Sequence, residues 1–353
     1  MRLTWSITQR RSGASLLNVH VAANLISWSL SGKLMAQPCA AMSTVRRSAP
    51  LLLQRLQQGI SLPPVELVYT PHSRWPLPRS QTNQQHQKGR SLSISILDSS
   101  FNPPTLAHLA LANSPRPSHH DYDEQDSETQ DTCGYDAKLF LLSVKNADKS
   151  LKAGDATYQQ RLEMMLLLSK DVIASRHEAA NSAIAIIDKP TFVGKSSALL
   201  DFLQRRLTTP LQLELTFLVG LDTLDRIFSP RYYTSETDMM TSLRQFLSAA
   251  AQGDNSRIVC AKRILSHTEA AQPIESSEDT STLALAKEFM ESDRIVIIDI
   301  GNTVNRYSSS TIRGAIGRFG FGQTVDQDSG WKSMVTRKIA DYIVEQRLYV
   351  MVD

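Results

Sequence analysis

Two stretches of this sequence set phosphate-binding side chains at helix starts. In "ILDSSFNPPTLAHLALA", residues 96–112, an apolar run ends at Asp98, a polar turn with Pro103 and Pro104 follows, and Thr105 and His108 stand at i and i+3. Such a pair shares one helix face, and proline is tolerated where a helix begins. The pattern predicts a strand, a stiff loop and a helix opening near Thr105 with a histidine on its first turn. Free N–H groups and the dipole at such a turn attract anions. The second stretch, "YSSSTIRGAI", residues 307–316, sets Ser308, Ser309, Ser310 and Thr311 ahead of Arg313. Hydroxyls, free amides and a guanidinium all bind phosphate oxygens. Two plainer readings stand beside this one: His108 packs under its loop, and the serines only cap a helix.

Positioning these groups requires a scaffold, and the hydrophobic pattern supplies one. Short, nearly continuous apolar runs occur at 92–97, 138–144, 183–188, 214–220, 257–261 and 294–300. Strands buried on both faces of a parallel sheet have this composition. Amphipathic stretches such as 158–172 and 195–207 lie between them. Strand and helix in alternation predict an α/β fold, a Rossmann-like doubly wound parallel sheet of five to six strands with right-handed crossovers. Ligands of such sheets sit beyond the carboxyl ends of the strands.

The chain has 353 residues, 41% hydrophobic and 21% charged, which is ample for a core of that size. Its net charge of +3 gives no reason to expect a nucleic-acid partner. Cys39, Cys133 and Cys260 lack the spacing of a disulfide framework or a zinc site, so no metal ligands are assigned and a reducing compartment fits best. Residues 1–90 differ from the rest and are expected to be an extension and linker, with the folded domain beginning near Ser91. No acidic residue precedes Glu66, while seven basic residues from Arg2 to Arg55 are scattered among Ser, Leu and Ala. That composition fits a mitochondrial presequence. The competing reading is a start at Met42, with a cytoplasmic or nuclear protein. The stretch Ala14–Leu30 is interrupted by Asn18, His20 and Asn24 and is too polar for a membrane span. Residues 118–136 and 266–282 are acidic and poor in apolar side chains, and are expected to be solvated, mobile insertions. The "VGKSS" of 193–197 lacks the earlier glycine of GxxxxGK(S/T), so it is read as a helix start with Lys195 in solvent.

With these elements in order, the sequence resembles a family. "SSFNPPTLAHL" is similar to the (H/T)xxH signature of the nucleotidylyltransferase superfamily, in the form carried by nicotinamide mononucleotide adenylyltransferases, and "YSSSTIR" to its ISSTxxR counterpart. "FLVGLDTLDRIF" resembles the GxDxL segment, "TYQQRLEMM" the helix with a Tyr-x-x-Arg pattern, and "PTFVGKSSALLDFL" a segment written Tyr-Thr-x-x-Thr-Leu in other members. "ADYIVEQRLY" is similar to the closing helix. The resemblance spans roughly residues 92–350. Ser99 stands where members usually have glycine, and Tyr307 where they have isoleucine. These departures suggest a divergent fungal-type branch.

The resemblance implies transfer of AMP from ATP to nicotinamide mononucleotide, giving NAD and pyrophosphate, with Mg²⁺ bridging the phosphates. It assigns His108 to the ATP phosphates, assisted by Thr105 and the loop amides of Ser99, Ser100 and Phe101. Ser309, Ser310, Thr311 and Arg313 would hold the β- and γ-phosphates from the opposite side. Gly220 and Asp222 would meet the nucleotide, the carboxylate bonding a ribose, although Asp222 also suits a helix cap. Lys149 or Lys152 would contact a substrate phosphate, and Tyr232 or Tyr233 are candidates to stack on the pyridine ring. The expected partners are ATP and nicotinamide mononucleotide, with no nucleic acid and no membrane; a homo-oligomer is left open. A regulatory nucleotide-binding protein, an ATP hydrolase, or a transferase for another phosphate acceptor remain the alternatives on this fold.

Overall fold

The computed structural model describes residues 40–78, 91–117, 134–145, 154–172, 181–262, 277–321 and 330–350. The first half of the folded chain runs α1 (Ala40–Gln57), β1 (Val65–Tyr69), β2 (Leu92–Asp98), α2 (Leu106–Ala112), β3 (Ala137–Ser143), α3 (Tyr158–Ser169), β4 (Ser182–Ile187) and α4 (Phe192–Arg206). The second runs β5 (Leu213–Gly220), α5 (Leu221–Ile227), α6 (Glu236–Leu247), β6 (Ser256–Ala261), α7 (Ser277–Glu291), β7 (Ile295–Ile298), α8 (Ser309–Phe319) and α9 (Arg337–Glu345).

The strands form one seven-stranded sheet in the order β1-β4-β3-β2-β5-β6-β7. All six strands expected from the apolar runs are present and pair in parallel. The seventh, β1, pairs antiparallel with β4, Val65 opposite Ile187, and closes one edge. Crossovers leave β2 toward β3 on one side, while β5 lies on its other side, so the strand order reverses at the β2–β5 boundary. In a doubly wound sheet that reversal opens a crevice at the carboxyl ends of the strands.

Both sheet faces are covered. Along β2, Ile94 and Ile96 face a cluster built with α4, α5, α6 and α7, while Leu97 faces the opposite cluster with α1, α2, α3, α8 and α9. The period-2 alternation of strand side chains makes this division, and it explains why the runs carry apolar residues on both faces.

The expected boundary at Ser91 is corrected by α1 and β1. Val45, Ala49 and Leu56 of α1 are buried in the core. Arg46 pairs through two nitrogens with the buried carboxylate of Glu163 on α3, each at 2.9 Å, and the Tyr342 hydroxyl of α9 donates to Glu163 Oε2 at 3.1 Å. The basic residues that made this segment look like a leader include one whose partner is 117 positions away. Residues 1–39 and 79–90 lie outside the described residues, as do the larger parts of the two acidic stretches. Both stretches end earlier than expected: Asp136 accepts from the backbone N–H of Ser93 at 2.8 Å, and 277–282 belong to α7. Among the described residues no helix is long and apolar enough to cross a membrane.

Candidate functional site

The loop after β2 starts at the crevice. Phe101 is fully buried with φ of 45°, a left-handed conformation that L residues adopt at a cost of order 1 kcal/mol. The loop therefore takes its left-handed residue at Phe101. The neighbouring Asn102–Pro103 bond is cis.

Three carbonyls of this loop are bonded by side chains from distant parts of the chain. Arg161 Nη1 of α3 donates to Ser100 O at 3.3 Å, Arg313 Nη1 of α8 to Asn102 O at 2.5 Å, and Ser309 Oγ to Pro103 O at 2.7 Å. With Ser100 O turned to Arg161, the trans peptide directs the Phe101 N–H the opposite way. Asn102 is itself held: its side-chain Nδ2 donates to Asp155 Oδ1 at 2.8 Å and its Oδ1 accepts from Ala156 N at 3.2 Å. Asp155 also lies 3.5 Å from Arg161 Nη2 and 3.6 Å from Arg313 Nε. One carboxylate thus aligns two guanidiniums against one loop, and the pair of arginines exceeds it by one positive charge.

His108 lies under the start of the loop, half-buried. The Thr105 backbone N–H donates to its Nδ1 at 3.0 Å, the Thr105 hydroxyl is 2.8 Å from the same nitrogen, and Ser99 Oγ is 2.8 Å from Nε2. The Phe101 ring packs at 5.5 Å between centroids. Burial lowers the imidazole pKa to about 4, so the ring is neutral at physiological pH. Thr105 is the N-cap of α2 and 0% exposed, so it holds the histidine and has no surface to offer a ligand. This corrects its assignment to the phosphates. At seven residues α2 also adds less dipole than the sequence pattern suggests.

On the opposite side, Ser308 is the N-cap of α8 and accepts from Thr311 N at 3.1 Å. The Ser309 hydroxyl donates to Pro103 O, so its single proton serves the loop. Ser310 and Thr311 are exposed, and the Arg313 side chain is 31% exposed with Nη2 3.4 Å from Ser310 Oγ. The plainer cap reading therefore holds for Ser308, while Ser310, Thr311 and Arg313 face outward on the first turns of an 11-residue helix.

Gly220 ends β5 beside β2 and is the N-cap of α5, with Asp222 in the first turn, so Asp222 is not the cap. A Cβ at Gly220 would meet nothing within 4 Å, so no protein neighbour requires glycine there. Tyr233 donates to Ile227 O at 2.9 Å and packs on the core, while Tyr232 lies against Arg231. Lys149 and Lys152 lie outside the described residues.

Lys195 corrects a further expectation. It does start a helix, α4, whose N-cap Thr191 accepts from Gly194 N at 3.2 Å. It is not in solvent: Lys195 Nζ pairs with Asp98 at the end of β2, both side chains 6% exposed, and it sits 4.7 Å from the centre of the Phe192 ring. Sequence reasoning also gave no role to Asp155 or Asn102. Asn102 stood inside the quoted signature, and a carboxylate closing an apolar strand, as Asp98 does, was a readable signal; the partners of these groups were not. Among the described residues no group of three or more His, Cys, Asp or Glu is arranged to hold a metal ion.

A doubly wound sheet whose reversal point carries a loop, a neutral histidine and an outward arginine on a facing helix defines an α/β protein of nucleotidylyltransferase type. No family model matches the chain. It is 31% identical over 227 residues to a Schizosaccharomyces pombe protein that carries the provisional name nicotinamide mononucleotide adenylyltransferase, covering 63% of this chain and 75% of that one. A solved structure of Plasmodium falciparum nicotinic acid mononucleotide adenylyltransferase complexed with APC is 15% identical, with a TM-score of 0.40, covering 73% of this chain and 96% of that one. The chain belongs to the nicotinamide mononucleotide adenylyltransferase family, in a divergent branch of it.

Proposed function

We propose that the chain transfers the adenylyl group of ATP to the 5′-phosphate of nicotinamide mononucleotide or its acid form, giving the dinucleotide and pyrophosphate. The single observation that carries this reading is the contact between the two phosphate-type motifs. Arg313 and Ser309 bond the carbonyls of Asn102 and Pro103 across 211 and 206 positions of sequence. Family membership supplies the class of reaction.

In this reaction an oxygen of the acceptor phosphate attacks the α-phosphorus of ATP, and the bond from that phosphorus to the bridging oxygen breaks as pyrophosphate leaves in line. Such chemistry needs alignment and charge neutralisation more than a protein nucleophile. In this reading Arg313 and Ser310 neutralise the leaving phosphates from α8, assisted by the Thr311 amide. The Ser99–His108 side of the cleft, with the Ser100 and Phe101 amides, holds the triphosphate opposite. Asp222 bonds a ribose hydroxyl, and the open space at Gly220 lets the nucleotide approach β5. Lys149, with Lys152 as its alternative, is assigned to a substrate phosphate. Magnesium enters with ATP as part of the substrate.

The test is NAD formation by the full chain with ATP, Mg²⁺ and nicotinamide mononucleotide, alongside the nicotinic acid form. Steady production should fall about a hundredfold in His108→Ala, the scale expected when the oriented hydrogen bonding of the phosphate-binding loop is lost. Wild-type activity no higher than that variant counts against the reading. ATP consumption without dinucleotide would instead mark a hydrolase on the same fold.

A further inference from the structure

The bonding of His108 leaves it with no free nitrogen. Its Nδ1 accepts from the Thr105 backbone N–H at 3.0 Å, and a nitrogen that accepts carries no proton. The one proton of the neutral ring is therefore on Nε2, which points at Ser99 Oγ 2.8 Å away. Ser99 Oγ acts as the acceptor in that bond. A hydroxyl has a single hydrogen, and that of Ser99 has no acceptor among the described residues. Ser99 is half-buried at the first position after β2, at the mouth of the crevice, whereas Thr105 behind the ring is fully buried.

We propose that Ser99, and not His108, touches the nucleotide phosphate, and that His108 is a positioning residue acting through it. The inference rests on reading this loop as the nucleotide site and specifies which atom makes the contact. Donation runs one way along the chain: Thr105 N–H to His108 Nδ1, His108 Nε2–H to Ser99 Oγ, Ser99 O–H to a phosphate oxygen. Hydrogen bonds aligned head to tail polarise one another, so the last donor in the row is the strongest. No proton changes owner and no charge is created, in keeping with the buried, neutral ring. A glycine at 99 would remove the intermediary and bare the Nε2–H, so the serine replaces a direct imidazole contact with a relayed one.

The relay has a signature that a direct contact lacks. In a double-mutant cycle on the full chain, read by calorimetric ATP binding, Ser99→Ala and His108→Ala should each weaken the dissociation constant about tenfold, as expected for one hydrogen bond to a charged group. The double variant should be no more than about twofold worse than the weaker single one, because the second substitution removes a residue whose route to the ligand is already cut. Losses that multiply to about a hundredfold would show that each residue meets the ligand independently and would overturn the proposal. Conservative replacements give the second readout. His108→Gln keeps a donor at the place of Nε2, whereas His108→Asn keeps only the acceptor at the place of Nδ1. The relay ranks Gln above Asn for ATP affinity; the reverse ranking, with both folded by thermal melt, assigns His108 to loop support alone and refutes it. Ser99→Gly should bind more tightly than Ser99→Ala, since only the glycine lets Nε2–H reach the phosphate. ATP binding without dinucleotide synthesis would remove the acceptor assigned above and leave this cycle interpretable. Absence of ATP binding in the wild-type chain would remove both.

Discussion

Two strand-to-helix junctions at the same end of the sheet are built in opposite ways. After β4, the turn into α4 is held locally: Thr191 accepts from Gly194 N, three positions on. After β2, the loop is held from far away, by Arg161, Ser309 and Arg313 on its carbonyls and Asp155 on its one amide side chain. A local cap forms as soon as its helix does. The β2–α2 loop has its shape only when segments more than two hundred positions apart have met. The first kind of junction serves the scaffold, and the second makes the site depend on the completed fold. The junctions are also tied to each other, since Lys195 on the first turn of α4 pairs with Asp98 at the root of the other loop.

Breaking that tie should have the largest effect on stability. Lys195→Met leaves the Asp98 carboxylate buried without its partner, at an expected cost of about 3–5 kcal/mol in urea denaturation, and Asp98→Leu added to it should recover most of the loss. A cost under about 1 kcal/mol would mean that the two junctions are independent.

Acid should act next, and only on the β2 side. The unfolded chain protonates His108 near pH 6.5, the folded chain only near 4, so the imidazole stabilises the neutral folded form. Its contribution is complete above about pH 6.5 and is lost as the pH falls from there toward 4, the loss amounting to about 3 kcal/mol at the foot of that window. Urea midpoints measured between pH 7 and 4 should show this decline, and His108→Gln should flatten it. A wild-type curve as flat as the variant's would place the histidine in a wetter environment than its contacts indicate.

The smallest effect belongs to the local junction. Thr191→Ala removes one cap and should cost about 1 kcal/mol. ATP affinity measured on the folded variant should not change, and a tenfold loss there would show that the β4 junction takes part in nucleotide binding.

The same contrast marks what could be read from the amino acids in order. All six parallel strands were legible because a strand buried on both faces is largely apolar, and both helix starts at Thr105 and Ser308 were legible because caps and prolines act within a few residues. The edge strand β1 was hidden in a segment whose basic residues resembled a leader, and Arg46 is neutralised by Glu163, a partner no local pattern marks. Lys195 looked solvated for the same reason: its counter-charge is 97 positions upstream. Within the site, residue types pointed to His108, Ser310 and Arg313, but the inward turn of Thr105 and Ser309 and the organising place of Asp155 depend on packing between distant elements.

The central claim is that one triphosphate is gripped from both sides of the β2–β5 crevice. A crystal structure of the full chain with a non-hydrolysable ATP analogue tests it most directly. Phosphate oxygens should lie about 3 Å from the Ser99 hydroxyl on one side and from the Arg313 guanidinium on the other. A triphosphate seated away from the crevice, or touching only one of those two side chains or neither, would contradict the account.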